Sequence, residues 1–248
     1  SKGIMGIMGG MGIMGIAGRW MGDLRHLFFP EVCPVCGKAL VEGEETLCLE
    51  CDAAMPRTMF HLDSDNQLYY RLVSQHIPLV HAAAMFHYRG GNPYARLVTL
   101  TKYNNRPQLG YELGRKYATE LMPAGFFEGV EMLVPVPMHW WKELRRGYNQ
   151  AMDIARGISA VTGLPVVEAL SASSHGTQTR RNAYQRLLNA RKTYRVADTA
   201  AIAGRHVMLV DDVITTGATM VSICEAVRRQ SPTTTLSVVA LAHTYRSI

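Results

Sequence analysis

The run Val207-Met208-Leu209-Val210-Asp211-Asp212-Val213-Ile214-Thr215-Thr216-Gly217-Ala218-Thr219 constrains this chain more than any other stretch. Its four leading apolar residues read as a buried parallel strand. Two adjacent acids follow where such a strand would end. A small, hydroxyl-rich turn comes next. Met220 to Gln230 then reads as a helix, with Val221, Cys224 and Val227 on one face and Ser231-Pro232 as its stop. A turn that opens a helix presents free backbone N–H groups and the positive end of the helix dipole. Threonine hydroxyls add donors, and Gly217 permits close backbone approach. This is a cradle for a phosphate monoester. Paired carboxylates beside it suit ribose hydroxyls, or a Mg²⁺ bridging hydroxyl and pyrophosphate oxygens. The stretch therefore asks for a ligand with a phosphate at one end and a diol within a few ångströms.

A chain of 248 residues, 48% hydrophobic, can build one ordinary domain plus a small appendage. The formal charge of +6 suits phosphate-rich ligands or nucleic acid, although a basic protein with no polyanion partner is equally compatible with it. Of the five cysteines, four form two CxxC pairs, and Cys224 is expected to be a small core residue. The odd count points to a reducing, cytoplasmic setting.

Residues 1–18 repeat Gly-Ile-Met units at a spacing that matches neither a helix face nor a strand. The stretch is too short and glycine-rich for a spanning helix. It is expected to be a disordered leader, with Met21 as a plausible true beginning and Asp23 to Phe29 as a short amphipathic helix before Pro30. Cys33-Pro34-Val35-Cys36-Gly37 is followed by Cys48-Leu49-Glu50-Cys51, and the eleven residues between Cys36 and Cys48 fit a small hairpin. Two such pairs can present four thiolates tetrahedrally to Zn²⁺ in a closed, structural site, with two disulfides or a redox dithiol as the competing readings. The expected division is leader and short helix over 1–29, metal module over 30–58 and main domain over 59–248.

The stretch from Met59 to Gln75 carries no readable pattern. Val80 to Tyr88 alternates as a strand, and Tyr94 to Lys102 follows as a helix begun by Asn92-Pro93. A polar loop, Lys102 to Arg106, leads to a helix over about Gln108 to Leu121. Val130 to Val134 is a strand ended by Pro135-Val136-Pro137. The segment after it, from Met138 to Gln150, is rich in basic residues and can hold an anion. Gln150 to Val161 is a helix, Leu164 to Leu170 a short strand, and Leu236 to Ala242 the closing strand. Between Ser171 and Arg195 lies a long basic excursion that suits a functional lid. Alternating strands and helices predict a mostly parallel sheet covered on both faces.

The run at 207–219 resembles the phosphoribosyl-pyrophosphate (PRPP) signature of type I phosphoribosyltransferases. Together with the CxxC pairs, Lys102-Tyr103, the Pro-Val-Pro run, Arg146-Gly147-Tyr148-Asn149-Gln150 and Thr177-Gln178 with Arg186 and Asn189, it resembles the ComF family. The likeness covers about Pro30 to His243, with a departure at Trp140-Trp141. It implies an α/β fold: a type I phosphoribosyltransferase-like, mostly parallel sheet flanked by helices, preceded by a small zinc ribbon. It implies Asp211 and Asp212 on the ribose hydroxyls, Thr215, Thr216, Gly217, Ala218 and Thr219 on the 5′-phosphate, and Pro137, Arg146, Arg186 and Arg191 toward pyrophosphate. Lys102 joins that ligand-binding set, Mg²⁺ accompanies PRPP, and Zn²⁺ sits on Cys33, Cys36, Cys48 and Cys51. A phosphoribosyltransferase acting on an unidentified nitrogen acceptor is the leading expectation. A non-catalytic binder of nucleotide or single-stranded DNA is the alternative. Competence or helicase proteins and a second copy of the chain are candidate partners.

Overall fold

The computed structural model describes residues 31–74, 78–102, 107–138, 144, 147–172 and 194–244. The expected leader and Asp23–Phe29 helix lie outside that set, as does most of the basic excursion.

The four-cysteine segment comes first. A bridge between Val32 and Ala39 closes a hairpin around the first CxxC pair, with Gly37 in the left-handed region at φ 78°. The expectation had put the hairpin in the spacer. The second pair instead opens helix α1 (Leu49–Ala53), where Cys48 is the N-cap and Cys51 lies inside. Glu44 organises the spacer by accepting from Leu49 N at 2.7 Å and Val41 N at 3.0 Å. Arg57 fastens this segment to the rest: it donates to both carboxylate oxygens of Glu120, at 2.6 and 3.1 Å, and to Asp52 Oδ1 at 3.0 Å. Tyr94 adds a buried hydroxyl bond to Cys51 O at 2.7 Å.

A 3-10 turn (Phe60–Leu62) and helix α2 (Gln67–Val73) follow, where the sequence showed no pattern. Asn66 caps α2 by accepting from Tyr69 N, and its amide donates to three carbonyls, including Ala82 O. Leu68 and Leu72 are fully buried. Strand β1 (Ala82–Tyr88), helices α3 (Ala95–Lys102) and α4 (Pro107–Leu121), strand β2 (Met132–Pro135) and helix α5 (Gln150–Thr162) come next. Strands β3 (Leu170–Ala172) and β4 (Tyr194–Val196) form a separate antiparallel pair. Helix α6 (Thr199–Ile202), strand β5 (His206–Ile214), helix α7 (Ala218–Gln230) and strand β6 (Thr235–Thr244) complete the described chain.

The main sheet has the order β1-β6-β5-β2, and every pairing in it is parallel. Its interior strands read as continuous apolar runs because both faces are covered: Val207 to Val210 and Val238 to Ala242 are all buried. The expected strand over 164–170 reduces to a single bridge, Leu133 to Val166. Leu133 N donates to Pro165 O and Val167 N to Leu133 O, both at 2.9 Å, and Pro165 has no N–H to add a further rung. Strand β3 begins only at Leu170.

Helices α4 and α5 pack backbone to backbone. A Cβ on Gly157 would lie 2.0 Å from Tyr111 O, and one on Gly114 would lie 2.4 Å from Ile154 O. Only glycine permits that approach. It fixes α5, and with α5 the residues Asn149 to Ala151 at its start. No helix among the described residues is long and apolar enough to cross a membrane.

Candidate ribose-phosphate site

Strand β5 is longer than its sequence suggested, and that places the two acids. Asp211 to Ile214 remain paired with β6, through Ala240, Ala242 and His243. On the other side, β2 ends opposite Val210. Val136 N donates one last bond to Val210 O at 2.9 Å, and Pro137 has no N–H to continue. Among the described residues, one edge of β5 is thus bare from Asp211 onward, at the carboxyl end of a parallel sheet, where open α/β folds bind ligands.

A cleft of about 210 Å³ opens there. Lys102, Pro137, Asp211, Asp212 and Thr219 line it together, joined by Asn149, Gln150 and Tyr194. Lys102 Nζ lies 3.0 Å from Asp212 Oδ2, both side chains being largely buried. Asp212 N donates to Asp211 Oδ1 at 2.8 Å. Burial, then the Asp212 charge, push the Asp211 carboxyl well above the usual carboxylate range, with Lys102 opposing them. Asp211 is thus a group that gains from hydroxyl donors or a cation.

Asn149 closes the opposite wall. Its side chain caps α5 by accepting from Ala151 N at 3.1 Å and donates to Val136 O at 3.1 Å. Tyr148 donates to Thr101 O at 2.7 Å, tying this wall to the last turn of α3 beside Lys102. The Asn149-Gln150 end of the family-type run therefore acts as a frame.

The turn Thr215–Gly217 leads into α7. Gly217 is its N-cap, at φ 80°, and no side chain caps the helix. Thr216 Oγ1 accepts only a long 3.4 Å bond from Ala218 N. In α5 a side chain satisfies the first turn. In α7 the first-turn N–H groups are left for a ligand, as an anion-binding helix start requires. Thr215, Thr216 and Ala218 are exposed, Thr219 is partly buried and Gly217 is buried.

Two supports of this turn had no sequence signal. Arg71 Nη1 on α2 donates to Thr215 O at 2.7 Å and to Thr244 O at 3.1 Å. Leu72 presses from beneath, so a Cβ on Gly217 would meet its Cδ2 at 3.0 Å. Tyr194 is the third residue missed. It lines the cleft with Thr219 and Asp211, close enough to both for their side chains to act on its phenol. Arg146, Arg186 and Arg191 lie outside the described residues.

The second site is the cysteine cluster. The sulfurs of Cys33, Cys36, Cys48 and Cys51 all lie within 4.8 Å of one another, and Cys36 and Cys48 are 3.6 Å apart. Four thiolates at 2.3 Å from one ion would sit at about this separation. Burial pushes the Cys33 thiol up, but the N–H groups of Cys36, Cys48 and Val35 outweigh it and bring it down to about 7. The cluster can bind a metal such as zinc and is consistent with a zinc ribbon. Cys224 is a buried core residue, as expected.

Residues 144–247 match the phosphoribosyl transferase domain family. DNA utilization protein YhgH of Escherichia coli K12 is 28% identical over 206 residues, covering 80% of this chain and 84% of that protein. Its counterpart in Shigella flexneri is 27% identical over 211 residues, covering 82% and 86%. Competence protein F of Haemophilus influenzae is 33% identical over 102 residues, covering 40% and 44%. The matched span contains Asp211, Asp212 and the whole capless turn, so the chain carries a phosphoribosyltransferase domain and is similar over 80% of its length to a protein named for DNA utilization.

Proposed function

We propose that this chain binds PRPP and transfers its phosphoribosyl group to a nitrogen acceptor. The observation that carries this reading is the juxtaposition of two carboxylates, on the bare edge of β5, with the uncapped start of α7. Asp211 and Asp212 accept from the ribose hydroxyls. The N–H groups of 217–219 and the threonine hydroxyls hold the 5′-phosphate. Lys102 gives up Asp212 to the ligand and turns toward its phosphates. The paired acids, one pushed up by burial and its neighbour, fit a cation-bearing ligand. Mg²⁺ when bound would neutralise the pyrophosphate leaving group. From the resemblance, Arg146, Arg186 and Arg191 complete the pyrophosphate side. The chain's part in catalysis is positioning and charge complementarity at the anomeric centre. Zn²⁺ on the four cysteines is structural, the unbridged thiols suit the cytoplasm, and 30–58 and 59–248 are the two functional parts.

One observation favours a second reading, binding of single-stranded DNA. The segments flanking the cleft residues Lys102, Met138 and Tyr194 carry Arg106, Lys142, Arg145, Arg146, Arg180, Arg181, Arg186, Arg191 and Lys192 against Glu143 alone. The relatives' names, DNA utilization and competence protein, accord with it. Helicase or other competence proteins and a homodimer are partners compatible with either reading.

The test is pyrophosphate release from PRPP with Mg²⁺ and ammonia or a nucleobase panel as acceptor. Release abolished by Asp211→Asn/Asp212→Asn supports the enzyme. Silence across the panel, together with DNA binding that falls steeply with salt, would shift the function to the polyanion.

A further inference from the structure

Among the polar groups of the cleft to which the resemblance gives no role is the Tyr194 hydroxyl. It reaches the site on β4, which is paired with β3 through Ala172 and packs along α7. Tyr194 lines the cleft together with Thr219, in the first turn of α7, and Asp211, and both side chains act on its phenol. Burial, then Asp211, hold the phenol above its ordinary range, so it keeps its proton across the physiological span. The chain thus places a fixed O–H donor between the phosphate-binding turn and the diol-binding acids.

We infer that Tyr194 is a ligand-positioning residue whose hydroxyl, relayed through Thr219, bonds the 5′-phosphate of a ribose 5-phosphate group seated against Asp211. This deepens the donor-site reading and rests on it. Two features argue for a ligand role. A structural tyrosine needs its ring for packing and any partner for its hydroxyl. Here the neighbour is a residue of the cradle itself, at a point where the helix has no side-chain cap. The position also has a geometric consequence. With Asp211 at one end and Thr219 at the other, the hydroxyl sets the span between diol and phosphate. That span distinguishes a ribose 5-phosphate from a free phosphate or an unphosphorylated nucleoside.

Ribose 5-phosphate is the probe. Its affinity is measured by calorimetry for the wild-type chain, Tyr194→Phe, Thr219→Val and the double variant, beside the melting temperature of each unliganded protein. Phe keeps the ring, so packing is preserved. One hydrogen bond to a charged oxygen corresponds to an affinity loss of about 10-fold or more. The expected result is that loss in Tyr194→Phe, with the unliganded melting temperature unchanged. The double variant should lose much less than the product of the single losses, because both hydroxyls serve one contact. Unchanged affinity in Tyr194→Phe, or full multiplicative losses in the double variant, would overturn the inference. Failure of the wild-type chain to bind ribose 5-phosphate would overturn the donor site as a whole, and is distinguishable because it precedes any mutation.

Discussion

The cysteine cluster and the donor cleft are both small groups of ionisable side chains, and they are built on opposite plans. In the cluster, four thiols face one another, clipped by backbone N–H groups and by a helix that starts on Cys48. Four ligands close a tetrahedron, so nothing is left for a substrate. In the cleft, Asp211 and Asp212 stand on β5 past the end of β2, beside a helix start with no side-chain cap. There the donors and acceptors are only partly spent, through Lys102 on Asp212 and Asp212 N on Asp211 Oδ1. The contrast teaches that function here follows unfinished bonding, while convergence alone marks structure.

The largest effect that could break this comparison is removal of the metal. Cys48→Ser, or a strong chelator, should abolish metal binding and unfold the segment around α1, since metal affinity on the order of 10 kcal/mol is its folding energy. Metal content and protease sensitivity near residues 31–55 report it. Retention of a protected segment without metal would show that the cluster is not the staple. Next comes the support of the cleft. Leu72→Ala should cost about 2–5 kcal/mol in denaturant unfolding, from a fully buried site beneath Gly217. Gly157→Ala should cost about 1–3 kcal/mol, because its Cβ would collide with Tyr111 O and push α5 away. An unchanged midpoint for either would refute the packing argument.

Much of this architecture was legible in the sequence. The apolar runs of β5 and β6 announce buried parallel strands, and the acids and threonines after Val210 announce a phosphate-and-diol site. Helix α2 was not legible. It spans seven residues and its inward face is just Leu68 and Leu72, too short a pattern to show a period. Arg71 and Tyr194 act on the turn from distant parts of the chain, so only the tertiary fold reveals them. The strand expected over 164–170 reduces to one bridge, since Pro165 has no N–H to extend the ladder beyond it. The end of β5 was misplaced at Asp211 because acids usually leave a sheet, whereas here only one side of the strand is unpaired.

Two pH experiments sharpen the contrast at smaller amplitude. Asp211 has its folded pKa raised above the unfolded value of about 3.9, so the folded state holds the proton more tightly. Its contribution to stability therefore falls as pH rises from about 4 through the raised folded value. Asp211→Asn should make the unliganded protein melt higher than wild type at pH 7 and equally near pH 3, while weakening ligand binding. A lower melting temperature at pH 7 would contradict the reading of an unsatisfied acid. His243 shows the opposite sign. Burial, with Arg71 and His87 nearby, lowers it to about 4 against about 6.5 unfolded. Stability should be lost as pH falls from about 6.5 toward 4. His243→Phe should flatten that part of the stability curve, and an unaltered slope would assign the acid sensitivity elsewhere.

The most direct test of the account is a calorimetric titration of PRPP with Mg²⁺ into zinc-loaded protein, beside Asp211→Asn/Asp212→Asn. The account predicts saturable binding at one site per chain, weakened at least about 100-fold in the double variant as two charge-assisted contacts are lost. Equal binding by both proteins, or none by the wild type, would contradict it.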